Sequence, residues 1–316
     1  MPINLLFAIE GEEEMGSPTI QQFFLRNKHK LKADAALEPF WAEYGTDVYK
    51  PTINLGTKGI LSIDLICRGG RWGGPIHDPI HSSVGAWIAS PHWRLLRALN
   101  TIINEQDEIV IDGLGQDIVL PSLEEENMLR VLAAEFDESN ILKIEDAYRF
   151  KYDLHGVELI RKYLFSPTAQ ASISAQADND VIDPEARAIL TIRLVPEMEP
   201  DKTLSRLRNH LDARGYTDID VVFRSGYPWA RTSVNEEIVQ TMIETYRYHG
   251  CEPQIRPISA SSTPYYLFSR VLGIPYVVGG LGQAGRSHSI DEYASVEGLR
   301  IMEKSLATFL YKFANS

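Results

Sequence analysis

The stretch Leu5-Leu6-Phe7-Ala8-Ile9-Glu10-Gly11-Glu12-Glu13-Glu14-Met15-Gly16-Ser17-Pro18 decides the reading of this chain. Residues 5–9 are continuously apolar, which predicts a strand buried on both faces. Ser17 suits a helix N-cap and Pro18 the first helical position. The glutamates are therefore expected at the C-terminal end of a buried strand, in the turn before a helix. Open α/β sheets build their sites there. Carboxylates in such a place are costly unless cations, donors or water meet them. A bare glutamate run has a blander reading, a solvated acidic turn. The strand–turn–helix setting favours a site.

Working outward, the chain has 316 residues, long enough for two domains with two cores. Its 44% hydrophobic and 23% charged content is that of a globular protein. A net charge of −12 argues against a general nucleic-acid binder or a binder of anionic membranes. No apolar run reaches the ~18 residues of a membrane-spanning helix, and no basic segment with an apolar core opens the chain. Cys67 and Cys251 stand far apart and in no Cys-x-x-Cys pattern. They predict buried thiols in a reducing compartment, hence a cytoplasmic protein.

After the acidic turn a helix is predicted over 18–31 and a short strand over 33–37, closed by Glu38 and Pro39. A right-handed crossover makes the two strands parallel and brings Glu14 and Glu38 to one sheet edge. From Pro51 the pattern changes. Leu61, Ile63, Leu65 and Cys67 alternate with polar residues, the mark of a strand with one exposed face. A helix follows, capped by Ser90, with Trp93, Leu96, Leu99 and Ile103 as its apolar stripe. Strands over 186–195 and 218–223 and a helix over 204–211 complete a ferredoxin-type set. This second domain is placed at 52–227, inserted into a first domain made of 1–51 and 228–316. The first domain resumes with a helix over 235–248, a buried strand over 274–278 and a final helix bearing Val296, Leu299, Met302, Leu306 and Phe309 on one face. His288 lies between that strand and that helix.

Glu14, Glu38 and His288 thus converge as two carboxylates and an imidazole, a donor set suited to Zn2+, Mn2+ or Co2+. Glu13 beside them suits the base that takes a proton from water activated by such an ion. His288 alone reads equally as a hydrogen-bonded loop histidine. Other motifs point elsewhere. Gly280-Leu281-Gly282-Gln283-Ala284-Gly285 matches a dinucleotide fingerprint, but only 31 residues follow it, too few for a nucleotide-binding half. His210-Leu211-Asp212 sits in a helix whose arginine neighbours suggest a solvated face. The hydroxyls of 259–263 lie in no Gly-x-Ser-x-Gly elbow.

At this point a resemblance can be stated. Residues 7–17 resemble the E-G-x-E-E-x-G-S signature of the dizinc exopeptidases and deacylases of clan MH, such as carnosinases, cytosolic dipeptidases, acetylornithine deacetylase and succinyl-diaminopimelate desuccinylase. Asp78-Pro79-Ile80-His81-Ser82-Ser83 is similar to that family's D-x-H-S-G stretch, Ile192-Arg193-Leu194-Val195-Pro196 to its R-L-V-P strand, and His288-Ser289-Ile290-Asp291-Glu292 to its terminal H-x-x-x-E motif. The matches keep the family's order, and the long 109–180 segment resembles the dipeptidase branch.

The resemblance implies an α/β fold: a three-layer α/β/α zinc-peptidase catalytic domain with an inserted ferredoxin-like lid that dimerises. It implies Glu13 as general base, with Glu14, Glu38 and His288 as ligands of two zinc ions. His81 would reach from the lid to a partner subunit's oxyanion, Arg193 would hold the substrate's carboxylate, and Ser261 and Ser262 would line the substrate site. The implied substrate is a small peptide or an N-acyl amino acid. The family pattern also places an H-x-D strand and a bridging aspartate upstream of the acidic turn. Neither is in this sequence, and Ile258 stands where an arginine is usual, with Arg256 two residues earlier. The expectation is a metal-dependent amide hydrolase, truncated at its N-terminus and inactive alone. The alternative is a non-catalytic remnant acting as a dimerising module.

Overall fold

The computed structural model describes residues 3–43, 51–174, 180–285 and 290–316. In chain order these form helix α1 (Ile20–Asn27), strands β1 (Ala36–Glu43), β2 (Thr52–Asn54), β3 (Gly56–Thr57), β4 (Gly59–Arg68) and β5 (Ile80–His81), and helix α2 (Pro91–Leu99). Helices α3 (Leu123–Glu135), α4 (Glu138–Ile144) and α5 (Gly156–Phe165) come next, then strands β6 (Thr168–Ser174), β7 (Val181–Ile182) and β8 (Glu185–Leu194). Helix α6 (Pro200–Ala213), strands β9 (Ile219–Tyr227) and β10 (Ala230–Arg231), helix α7 (Glu237–Tyr248) and strands β11 (Gln254–Arg256), β12 (Tyr276–Gly285) and β13 (Tyr293–Ala294) lead to helix α8 (Val296–Phe313). The chain divides into two compact units. The first is Met1–Thr57 with Leu120–Phe165 and Ala230–Ser316; the second is Lys58–Val119 with Ser166–Trp229. Among the described residues no helix is long and apolar enough to cross a membrane.

The first unit is built around β12. Its sheet runs β1-β12-β2-β11, with β13 also on β12. Val277 and Leu281 are buried with Met242 and Tyr246 of α7 and Phe309 of α8. The next residue back, Tyr276, faces the other way, as strand alternation requires. Its ring lies 5.3 Å from that of Tyr265 and 6.0 Å from that of Phe268, which meets Phe24 of α1 at 5.8 Å. The sheet therefore has helical cover on both faces. β1 pairs with β12 in parallel but slips register after Pro39. Proline has no amide hydrogen to give the ladder. At the slip, Gly280 turns its own amide and carbonyl to the Tyr246 hydroxyl, at 2.6 and 3.1 Å. A side-chain carbon at Gly280 would collide with Met302 Sδ and the Phe40 carbonyl. Residues 280–285 are thus the second half of a packed strand. They do not follow the strand, as the sequence suggested, and they form no phosphate-cradling turn.

Two further differences from the sequence reading concern this unit. Residues 5–9 form no strand, and Leu5, Phe7 and Ile9 are exposed at 44, 77 and 86%. A buried strand needs pairing partners and cover, and no described strand pairs with this run. The 120–165 segment, assigned from sequence to the inserted domain, belongs to the first unit. Leu129 and Leu132 of α3 pack with Ile160 and Leu164 of α5 and with Ile258. Glutamates around this stripe mask it in the sequence, although the Ser122/Glu125 capping box marks the start of α3.

The second unit is the βαββαβ arrangement expected of a ferredoxin-like lid. Its antiparallel sheet runs β6-β8-β4-β9. Leu61, Ile63, Leu65 and Cys67 of β4 and Ala188, Leu190 and Ile192 of β8 bury one face against Leu95 and Ala98 of α2 and Leu207 and Leu211 of α6. β4 has neighbours on both sides, so the edges belong to β6 and β9. β6 was not legible beforehand because its residues are small, polar and mostly exposed. The expected stripe of α2 is rotated: Leu95, Ala98 and Leu99 are buried, whereas Trp93 and Leu96 are exposed. His210 is also misread as solvated. It is fully buried, its Nδ1 accepting from the Asp112 amide at 3.1 Å and its Nε2 donating to the Thr101 carbonyl at 2.9 Å. Burial, aided by Arg214, pushes its pKa down and keeps it neutral.

Candidate active site

The acidic turn is a single 3-10 turn over Glu13–Met15, closed by Gly16 at φ 82°. Ser17 follows, also in the left-handed region at φ 51°. It does not cap α1, which begins at Ile20. Its buried hydroxyl donates instead to Glu10 Oε1 at 2.7 Å, and its amide donates to the Glu12 carbonyl at 3.0 Å. The Thr19 hydroxyl donates to the Glu12 carboxylate. The serine and threonine thus tie down Glu10 and Glu12, while Glu13 and Glu14 remain solvent-exposed.

Glu38 was expected at a strand end with Glu14 and His288. It lies inside β1, opposite Val278, rather than at a strand end. Its carboxyl is half-buried and is held above the usual carboxylate range. Burial is the main cause; the charges of Glu13 and then Glu10 add to it. The structure therefore brings Glu10, Glu13 and Glu38 into one electrostatic neighbourhood. Tyr265 belongs to it too. Burial, then the charge of Glu38, raises its phenol well above the ordinary value. Sequence reasoning did not select Glu10 or Tyr265 as site residues. The serine seven positions after Glu10 was the available signal for the first; nothing local marks the second.

The remaining candidates are placed as follows. His288 lies outside the described residues. Ser261 is exposed, its hydroxyl 2.7 Å from that of Ser259 and its amide donating to Ser259 Oγ at 3.2 Å; Ser262 is half-buried. Ile258 is fully buried in the α3/α5 cluster and offers nothing polar. Arg256 gives its Nε and Nη2 to Gln254 Oε1 at 3.0 and 2.9 Å, and burial lowers its pKa. In the second unit, His81 is exposed at the end of β5, with Nδ1 accepting from the Ser83 amide at 3.1 Å. Arg193 is half-buried on β8, between Ile60 and Thr168 of the flanking strands. Its charge and, more strongly, burial depress the pKa of Lys58 to about 8; the Lys58 ammonium donates to the Ser166 carbonyl at 2.8 Å.

As a cation site the carboxylates have the right chemistry, since a positive charge relieves their repulsion. Among the described residues, however, no group of three His, Cys, Asp or Glu side chains is arranged to hold a metal ion. The described residues do not by themselves make a complete metal site.

Comparison with known proteins gives the family. The model of peptidase family M20/M25/M40 matches residues 1–312. The chain belongs to that family. It is 23% identical over 339 residues to the Cys-Gly metallodipeptidase DUG1 of Saccharomyces cerevisiae, a match that takes in all of this chain and 66% of the relative. It is 22% identical over 224 residues to the Beta-Ala-His dipeptidase of Homo sapiens, covering 67% of this chain and 41% of that protein. Among solved structures, the M20 family metallo-carboxypeptidase Sso-CP2 from Sulfolobus solfataricus superposes with a TM-score of 0.84 at 27% identity, over 97% of this chain and 70% of that one. Human carnosine dipeptidase 1 superposes with a TM-score of 0.80 at 20% identity, over 100% of this chain and 68% of that one. The M20 chain described here thus spans about two thirds of the length of DUG1 and less than half of the Beta-Ala-His dipeptidase. The fold and family expected from the motifs are those found.

Proposed function

We propose that this M20 chain carries part of the site of a metal-dependent amide hydrolase acting on a dipeptide or an N-acyl amino acid, and that alone it is inactive. Glu14, Glu38 and His288 are the ligands assigned to a divalent cation, zinc first and manganese or cobalt as alternatives. The observation that carries this reading is the gathering of Glu10 and Glu13 about Glu38. When bound, such a cation supplies Lewis acidity to the amide carbonyl and to water. Glu13, exposed in the acidic turn, would take a proton from water there. His81 accepts at Nδ1, so its protonated nitrogen is Nε2, a donor suited to an oxyanion. Arg193 is a guanidinium without an ion-pair partner among the described residues, as a substrate carboxylate would require. Ser261 and Ser262 are assigned to the substrate's polar groups. The first unit is read as the catalytic domain and the second as the lid. The free thiols Cys67 and Cys251 support a cytoplasmic location. A second reading is a non-catalytic remnant acting as a dimerising module; among the described residues, which exclude His288, no group of three His, Cys, Asp or Glu side chains is arranged to hold a metal ion.

The carrying observation is tested by Glu38→Gln. A carboxyl whose folded pKa is raised holds its proton more tightly in the folded chain. Folding stability therefore falls as pH rises from the unfolded value, about 4.3, through the folded one, and the loss persists at pH 7. Metal-free Glu38→Gln is expected to melt above the parent at pH 7, with the difference closing below about pH 4. Equal or lower melting at pH 7 would remove the electrostatic cluster.

The lid is also proposed as the surface of a homodimer. β4 cannot add a strand because both its sides are paired, so the pairing edge is assigned to β9, where Val222 and Phe223 are 45 and 48% exposed. Light scattering at about 50 μM is expected to give a dimer, well above a typical micromolar dissociation constant. Val222→Lys with Phe223→Glu is expected to give a monomer. A parent monomer, or a dimer indifferent to the double substitution, contradicts the assignment.

A further inference from the structure

A cavity of about 640 Å³ in the second unit is lined by Arg94, Arg97 and Arg214 and by Trp72, Trp93 and Tyr216. The chain as a whole is strongly negative, at −12, yet no carboxylate residue stands among those lining this space. Arg94 is held rigidly. Its guanidinium lies over the rings of Trp72 and Tyr216, at 4.8 and 5.2 Å, and donates to the Asp218 carboxylate and the Gly215 carbonyl. Arg214 is anchored by Asp112 at 3.0 Å and by the His210 carbonyl at 3.2 Å. Asp218 and Asp112 balance two of the three guanidinium charges. Arg97 is exposed and has no ion-pair partner among the described residues. Ser90 also lines the cavity, and its hydroxyl makes no capping bond to α2.

Two features narrow the ligand. The volume is in the range of small-molecule pockets, roughly 300–1,000 Å³. Aromatic walls beside one unbalanced guanidinium favour a flat ring that carries negative charge, since the ring stacks and the fork takes the anion. We propose that this cavity binds a small anion attached to an aromatic or heteroaromatic ring, the charge being a phosphate or a carboxylate. Arg97 takes the anion and Trp93 stacks on the ring. None of these residues has a part in the amide hydrolysis assigned above.

The test uses the full chain, titrated calorimetrically and by tryptophan fluorescence. Adenosine 5′-monophosphate represents the ring phosphates and indole-3-acetate the ring carboxylates; inorganic phosphate and adenosine are the half-ligand controls. At least one of the two ring anions is expected to bind with a dissociation constant below about 1 mM, and both controls at least about tenfold more weakly. Which anion binds identifies the source of the charge. Arg97→Gln and Trp93→Ala, both at exposed positions, are each expected to weaken binding at least about tenfold. The proposal is overturned if neither ring anion binds at about 5 mM, if inorganic phosphate binds as well as the nucleotide, or if both variants bind like the parent.

Discussion

Supplied with Zn2+ or Mn2+, the 316-residue chain is expected to hydrolyse Xaa-Gly, Xaa-His and N-acetyl amino acids at least about 10³-fold more slowly than an ordinary enzyme rate of ~10 s⁻¹. The reason is geometric. Amide hydrolysis needs a polarised water within hydrogen-bond reach of a base, and both must be held still relative to the carbonyl. Glu13, the proposed base, is exposed. Only Glu14, Glu38 and His288 are assigned to fix cations beside it, and three ligands are too few to close two metal sites. General-base assistance without that fixation is worth about 10²–10⁴, far short of an enzyme's whole effect. The measurement is a ninhydrin or coupled assay with and without added metal, run beside Glu13→Ala. Turnover of about 1 s⁻¹ that needs metal and is abolished by Glu13→Ala would show that the chain completes its own site.

How far the sequence foretold this site depends on what kind of signal each residue leaves. β4 was legible because Leu61, Ile63, Leu65 and Cys67 alternate without interruption and the structure buries that one face. The last helix was legible from its apolar face, of which Met302 and Phe309 are buried, although Val296 and Leu299 turn out exposed. Glu38 was misplaced for a physical reason. Pro39 reads as a strand terminator, yet β1 continues to Glu43 because the register slip absorbs the missing amide. Residues 5–9 illustrate the opposite failure. Their pattern specifies a buried strand, but periodicity says nothing about whether partners are there to pair with. Ser17 followed the statistics of N-caps in sequence and was instead recruited by Glu10, seven residues earlier. His210 shows the same limit: four residues of arginine-rich surroundings suggest solvent, while its partners Thr101 and Asp112 come from about a hundred residues away. Long-range contacts of that sort leave no local trace.

The two units also differ in how much of their chemistry is their own. The second unit is a βαββαβ set with its core intact, and its edges follow from the pairing. The first unit gathers Glu10, Glu13 and Glu38 but leaves Leu5, Phe7 and Ile9 exposed beside them. Exposed apolar residues next to concentrated like charge are unstable company for one another, because burial of the former raises the cost of the latter. A cation reduces that conflict. Zinc sites held by two or three protein ligands nevertheless leave positions to water and release the ion more readily than closed ones.

Metal content is therefore the most direct test. The chain is loaded with excess Zn2+ or Mn2+, passed through gel filtration in metal-free buffer and analysed for bound metal per chain. The gathered carboxylates are expected to retain less than one ion per chain, and Glu38→Gln less than the parent. Two tightly held ions per chain, unaffected by Glu38→Gln, would contradict an incomplete site centred on Glu13 and Glu38.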